Sequence, residues 1–572
     1  MISLWTRRKA ARRWEARPDA IRRRFDAAEA VPISNADELA AMAPGFRRSL
    51  SAQFGVEALA GRLNPVQLQD DSVAIFALAE HVAGDQADEL ARRIAISGYT
   101  PARPARYVLA APLLLAIARQ QITAGSLSGA ADAPWEQART ALAHAFQDLI
   151  EWGVRHGASD IHLNLRLQEA ESEVKYTICG RYLAPERFRR MPTSTLLDML
   201  SVAWMDIRGG NGAVFDPHTE QQGSMARRVD GREVMLRWAS LAAEAGPSVC
   251  LRLLQRDAAA RLPDLEQLGY LPDQIQLIDR VMLSEGGAVV FAGTVGSGKS
   301  TSLASLIARL PGHRKVVTME DPVEYEIPGA IQNSLARSLD ADAHDSYAAK
   351  LRALKRSAMS DVLLGEVRDR ETGRAFMDLA GAGVNVYTTV HAPSAALIPQ
   401  RLASDFIGVS RDFLATPGML KLLVFQALLP ALCRHCAWPV QRLLETGGEH
   451  LDGRRLSGRQ WAEWLEGVQA LYSGDISNLR IRNPQGCGTC RQPSLPELNG
   501  YAGRSVAAEI LEPGLGGQPS RSAMDCAMLK AFRGDIDPRD IEVRFHAFET
   551  QRLKTSWRGA GLAPAPRLWA VT

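Results

Sequence analysis

An α/β chain is what this sequence predicts, and three observations predict it. From residue 286 onward the pattern becomes strand, loop and helix, repeated. The first of these units carries GTVGSGKS, which matches G-x-x-x-x-G-K-[ST] directly after an apolar run. Residues 141 to 258 pattern as a small α+β domain, and two C-x-x-C pairs follow the repeated units, with 50 residues between Cys436 and Cys487.

The 572 residues suffice for about three to four domains, since one core rarely exceeds roughly 250 residues. Apolar residues at 46% and charged residues at 23% are ordinary soluble values, and a formal charge of +3 gives no reason to expect nucleic acid. The longest nearly apolar run, YVLAAPLLLAIA at 107 to 118, is too short to span a bilayer and contains Pro112, so it reads as buried helix or strand. The start MISLWTRRKAARRWEA lacks the apolar stretch of a secretory signal, so a cytoplasmic chain with reduced cysteines is expected.

The first 24 residues carry nine arginines and lysines against Glu15 and Asp19. Such an arm suits either a solvated terminus or docking onto anionic lipid or an acidic partner. From there to 140 the chain is alanine-rich and helical in pattern, which predicts a mostly helical N-terminal domain for docking. In the α+β domain, 141–258, Phe146, Leu149, Ile150 and Gly153 share one helix face leading into GASDIHLNLRL. Asp230-Gly231 between two strand-like runs signals a hairpin. The strand VCLRLL at 249 to 254 is expected to set Arg252 off the apolar face and opposite to Cys250. A linker is expected at 259–272, then the nucleotide core at 273–425, a cysteine-bearing region at 426–513 and a surface helix with a loose tail at 514–572.

In the core, Ala288 to Ala292 read as a strand, and Leu303, Leu306, Ile307 and Leu310 as the inner stripe of the helix that follows. Glycines let backbone amides approach phosphates, Lys299 offers a charge to the β- and γ-phosphates, and Ser300 offers a hydroxyl to Mg²⁺. The expected ATP-binding set is Gly293, Thr294, Gly296, Ser297, Gly298, Lys299, Ser300 and Thr301, with Glu320 and Asp321 at the end of the next strand. KVVTMED, SDVLLGE and VNVYTTVH each end in polar side chains, and in an open parallel sheet ligands sit beyond those strand ends. Glu366 after the apolar run Val362-Leu363-Leu364 suits holding Mg²⁺ through water or orienting the attacking water, and Glu324 suits a general base. His391, at a strand end, reads either as a satisfied core histidine or as part of the site.

These motifs resemble the secretion ATPases of type II secretion, type IV pilus and type IV secretion systems. VTMEDPVEY at 317 to 325 is similar to that family's Asp box, VLLGEVRDRET at 362 to 372 to its Walker B, and VYTTVHAPSA at 386 to 395 to its His box. GASDIHL, GREVMLRWASL and VCLRLL resemble the PAS-like domain that precedes the RecA-like motor. The resemblance implies a homohexameric ATP hydrolase in which Glu324, Glu366 and His391 act at the nucleotide and Arg237 and Arg252, backed by Arg227 or Arg228, reach the neighbouring subunit's nucleotide. Departures are KRSAMSD before Walker B, Val384 where a histidine is frequent, and Ala392-Pro393 for a polar pair.

Cys433, Cys436, Cys487 and Cys490 form two knuckles that would close a tetrahedron around Zn²⁺, the alternative being two unrelated pairs of buried thiols. The family's assembly-type members carry a tetracysteine element at this place. The resulting expectation is a peripheral motor at the cytoplasmic face of the inner membrane, assembling a type IV pilus or type II pseudopilus against a membrane platform protein gripped by the N-terminal domain. A type IV secretion motor is the alternative within the family, and a DNA-translocating ATPase is the alternative outside it.

Overall fold

The computed structural model describes residues 25–559 except 34–37, 40, 57–58, 60–61, 110–112, 115–116, 118–131, 213, 256–261, 336–342, 452 and 516–518. The basic arm at 1–24 lies outside the described residues.

Five strands form the sheet of the N-terminal unit: β1 (Val31–Ile33), β2 (Phe46–Ser49), β3 (Leu63–Leu68), β4 (Val73–Ala77) and β5 (Pro101–Leu109), in the order β1-β5-β4-β3-β2. This corrects the mostly helical domain expected there. β3 and β4 are buried at every position, so their residues run together instead of alternating, and periodicity cannot tell such a run from a buried helix. Helix Asp85–Ile96, with Ala87, Leu90 and Ile94 buried, is the crossover between the parallel strands β4 and β5.

In the second unit an α+β domain contributes β6 (Ala158–Asn164), β7 (Glu171–Ile178), β8 (Arg181–Leu183), β9 (Met191–Pro192), β10 (Gln222–Val229), β11 (Arg232–Ala243) and β12 (Gly246–Gln255). The order is β10-β11-β12-β6-β7-β8, with β9 on β7. Asp230 (φ 49°) and Gly231 (φ 79°) are both left-handed, as a two-residue hairpin that follows the strand twist requires. Phe146, Leu149 and Ile150 are buried, and a Cβ on Gly153 would stand 3.0 Å from the Tyr176 ring. The ladder sets Arg237 opposite Arg252 and Arg252 opposite Asp160. Val249, Leu251 and Leu253 face the core, as expected. Cys250, however, shares the face of Arg252, because residues two apart in a pleated strand point the same way.

The second sheet of this unit is built from β13 (Ala288–Ala292), β14 (Val316–Glu320), β15 (Ala330–Ser334), β16 (Asp361–Leu364), β17 (Asn385–Val390), β18 (Leu420–Leu432) and the strand Tyr501–Leu511. Its order is β15-β14-β16-β17-β13-β18 and then Tyr501–Leu511, parallel throughout except for the last. β13, β16 and β17 are buried at every position, which a parallel sheet covered by helices on both faces demands. Asp361, fully buried at the start of β16, is held by Arg314 at 2.6 and 2.8 Å and by the Tyr387 hydroxyl at 2.9 Å.

Within the stretch expected as linker, helix Leu265–Leu268 places Leu265 in the same core as Tyr270, Leu303 and Val506. Beyond Pro513, where a surface helix was expected, the chain forms three helices, Ala523–Ala531, Pro538–Arg544 and Phe548–Gly559, and the tail expected around PAPR lies outside the described residues. Met528, Ala531, Ile541 and Phe548 share a core with Trp461 and Leu465 of helix Gly458–Leu471. Short helices with few apolar residues each carry weak periodicity, and only the assembled cluster shows their shared interior.

Candidate functional site

The register of the parallel sheet assembles the site. Ala292 of β13 lies beside Val390 of β17, so Gly293 and His391 leave the sheet side by side. Leu364 lies beside Thr388 and beside Met319, so Glu366 and Glu320 leave at the same edge. His391, Glu366 and Glu320 open into one cleft of about 1150 Å³, and Gly293 and Thr294 are not among its lining residues. Gly296, Ser297, Gly298, Lys299, Ser300, Thr301, Glu320, Asp321, Glu324, Glu366 and His391 line it.

The loop after β13 is tightly built. Gly298 enters helix Lys299–Ile307 at φ 84°, a conformation that L side chains rarely adopt. A Cβ on Gly293 would collide with the carbonyl of Gln426. Gln426, fully buried on β18, donates to the Ser297 carbonyl at 2.7 Å and accepts from the Tyr270 hydroxyl at 2.5 Å. The Thr301 hydroxyl pairs with that of Tyr325 at 2.9 Å. Lys299 Nζ donates to the carbonyls of Gly293 (3.0 Å) and Thr294 (3.1 Å), at the mouth of the loop. Burial lowers the Lys299 pKa, and the charges of Glu366 and Glu324 oppose that.

His391 is neither buried nor idle. Its Nδ1 donates to the Gly293 carbonyl at 3.1 Å, and its Nε2 stands 3.2 Å from Glu366 Oε1. The imidazole thus bridges the first residue of the phosphate loop and the acid after β16. Burial raises the pKa of Glu320, whose carboxylate accepts from Gln332 at 3.1 Å. Asp321 presents its carbonyl to Arg237 Nη1 at 3.1 Å and its carboxylate to Arg368 at 3.7 Å. At the position of the expected histidine the chain has Val384, packed on the hydrophobic core, and Ala392 is buried in that core.

Arg237 and Arg252 line the same cleft as the phosphate loop of their own chain, where the family resemblance had them reaching a neighbour's nucleotide. Arg252 is held by Asp160 at 2.9 Å. Arg227 and Arg228 are not among the lining residues; Arg227 sits over the Phe146 ring at 6.0 Å. Tyr325, the last residue of VTMEDPVEY, lines the cleft, and so do Arg504, Val506 and Arg544, for which no role was expected. Gln426 and Tyr270 brace it from β18 and the stretch expected as linker. Such residues carry no local pattern, because strands and helices distant in sequence bring them to the loop.

The four cysteines come together as one cluster whose sulfurs all lie within 4.8 Å of one another. Separations of 3.8 Å (Cys433–Cys487), 3.5 Å (Cys436–Cys490) and 3.8 Å (Cys487–Cys490) compare with about 3.8 Å between ligands of a tetrahedron with 2.3 Å zinc–sulfur bonds. Backbone amides of Cys487 and Gly500 donate to Cys490 Sγ at 3.3 Å each. The donor set and spacing fit Zn²⁺. His435 is not in the cluster.

The family model described as "Type II/IV secretion system protein" matches residues 136–520. The type II secretion system protein E of Pectobacterium carotovorum subsp. carotovorum is 30% identical over 360 residues, 63% of this chain and 63% of that protein. The type IV pilus assembly ATPase PilB of Thermus thermophilus is 29% identical over 379 residues, 66% of this chain and 38% of that protein. The alignment thus spans less than two thirds of the length of either relative. Among solved structures, the Legionella pneumophila ATPase DotB aligns at a TM-score of 0.42 and 20% identity, covering 70% of this chain and 95% of that one. The match covers more than half of the chain and runs through the α+β domain, the phosphate loop and the cysteine cluster, so the chain belongs to the type II/IV secretion system protein family.

Proposed function

We propose that this chain is an ATP hydrolase that works as a homohexamer at the cytoplasmic face of the bacterial inner membrane, driving assembly of a type IV pilus or type II secretion pseudopilus. The observation that carries the reading is the convergence of Lys299, Glu366 and His391 on one phosphate loop, with Glu324 beside them. Among the described residues no helix is long and apolar enough to cross a membrane.

Each side chain then has a task. Lys299, released from the carbonyls of Gly293 and Thr294, meets the β- and γ-phosphates. Ser300 and Glu366 would hold Mg²⁺, which when bound supplies positive charge against the phosphate oxygens. Glu324 takes the proton of the attacking water. His391, hydrogen-bonded to Gly293 and 3.2 Å from Glu366, keeps the loop and the acid in fixed relation. Arg237 and Arg252 add positive charge from the α+β domain, so that closure of that domain onto the core completes the site. Cys433, Cys436, Cys487 and Cys490 would hold a structural Zn²⁺, since four sulfur ligands leave no open position.

Phosphate release by the purified chain tests the reading. Lys299→Ala is expected to abolish turnover, and Glu366→Gln to bind ATP while turnover falls about 10²- to 10⁴-fold. Full turnover in Lys299→Ala would sink the assignment. Stimulation by single-stranded DNA that salt reverses would point to translocation of nucleic acid instead.

A further inference from the structure

We propose that Arg544, on helix Pro538–Arg544, is a ligand for the β/γ-phosphate end of the nucleotide, supplied by the chain's own C-terminal helices. This rests on the ATP-hydrolase reading above. Arg544 Nη2 donates to the Thr294 hydroxyl at 2.7 Å, and Arg544 lines the cleft with Lys299. The carbonyl of the same Thr294 accepts from Lys299 Nζ at 3.1 Å, so the guanidinium is anchored where the lysine that addresses those phosphates also rests.

What distinguishes this arginine is burial without a carboxylate partner, since Arg237 and Arg504 on the same cleft are exposed. Arg252 has Asp160 at 2.9 Å, Arg181 has Asp540 at 3.5 Å, and Arg368 has Asp321 at 3.7 Å. Arg544 is half-buried, and among the described residues it has no carboxylate within ion-pair distance. The acids of its own helix are committed elsewhere: Glu542 accepts from Trp464 at 2.9 Å and from the Phe548 amide at 2.7 Å, and Asp540 accepts from Tyr501 at 2.8 Å. Burial with no opposing charge lowers the Arg544 pKa. A cation withdrawn from water without a counter-ion is unfavourable until an anion arrives, and a guanidinium is the group that binds phosphate through two parallel bonds. A triphosphate entering the loop would supply that anion.

The same helix ties the loop to the rest of the C-terminal region. Glu542 faces His450 at 3.3 Å and Trp464, inside the cluster that holds Trp461 and Phe548. Arg544 therefore makes nucleotide occupancy visible to helices that carry no motif of their own.

The experiment measures ATP and AMP binding to the full-length chain, wild type and Arg544→Gln, with Lys299→Ala alongside. Arg544→Gln keeps a polar side chain at this position and removes the charge and the guanidinium fork, and Arg544→Lys serves should the glutamine variant fail to fold. The expected result is a roughly ten- to hundredfold rise in the ATP Kd of Arg544→Gln, with AMP binding changed less than about twofold. Arg544→Lys should fall between it and wild type, because a point charge replaces the fork. An unchanged ATP Kd, or equal weakening for ATP and AMP, overturns the proposal and leaves the ATPase reading intact. Wild type that fails to bind ATP at all would overturn both.

Discussion

Gln426 is the residue whose replacement best tests how the phosphate loop is held. Its fully buried amide donates to the Ser297 carbonyl at 2.7 Å and accepts the Tyr270 hydroxyl at 2.5 Å. Gln426→Leu fits the volume but orphans two buried polar groups at once. Each costs about 1–3 kcal/mol, so the loss should be about 2–6 kcal/mol. Tyr270→Phe orphans only the Gln426 oxygen and should cost about 1–3 kcal/mol. In the double variant both the Tyr270 hydroxyl and the Gln426 oxygen are gone and only the Ser297 carbonyl is orphaned, so its loss should fall short of the sum by about 2–6 kcal/mol. The assay is urea unfolding, read on the transition that ATP shifts, together with the ATP Kd. Gln426→Leu should raise the Kd because the Ser297 carbonyl is part of the loop itself. Tyr270→Phe should spare it because that carbonyl stays bonded. A loss below about 1 kcal/mol with an unchanged Kd in Gln426→Leu, or strict additivity of the pair, would refute the brace.

His391→Ala removes the bond to Gly293 and the contact with Glu366, so turnover should fall about a hundredfold while ATP affinity stays within a few-fold, as single-turnover and binding measurements would show. Cys490→Ser should cut the zinc content of the purified chain to well below one per chain, and a chelator should lower the melting temperature of wild type but not of the variant. Glu320, whose pKa burial raises, holds its proton in the folded state above the pH at which it loses it unfolded, so stability falls as pH rises through the ordinary glutamate pKa of about 4.3 toward the folded value. Glu320→Gln should therefore stabilise the nucleotide-free chain at pH 7, and the gain should vanish at pH below about 4 in melting curves. Asp361→Asn breaks a fully buried pair with Arg314 and should cost about 3–5 kcal/mol, seen as loss of the folded core in urea titrations.

The sequence by itself determined the local chemistry of this protein. A phosphate loop is a contiguous backbone device, so GTVGSGKS discloses it, and buried parallel strands are contiguous apolar runs, so the acids and the histidine that end them are legible one strand at a time. Two cysteine knuckles are likewise local, each wound by its own turn. What only the tertiary structure decided is which of these ends share an edge, and what stands behind them. The register of β13 against β17 puts His391 on the Gly293 carbonyl, and no spacing in the chain encodes it. Gln426 and Arg544 reach the loop from positions 129 residues beyond Ser297 and 250 residues beyond Thr294, through side chains with no motif around them. The N-terminal sheet escaped for the opposite reason. Burial on both faces erases the alternation by which a strand is recognised, leaving an apolar run in β4 and buried Asn64 and Gln67 in β3, and only pairing between strands discloses either.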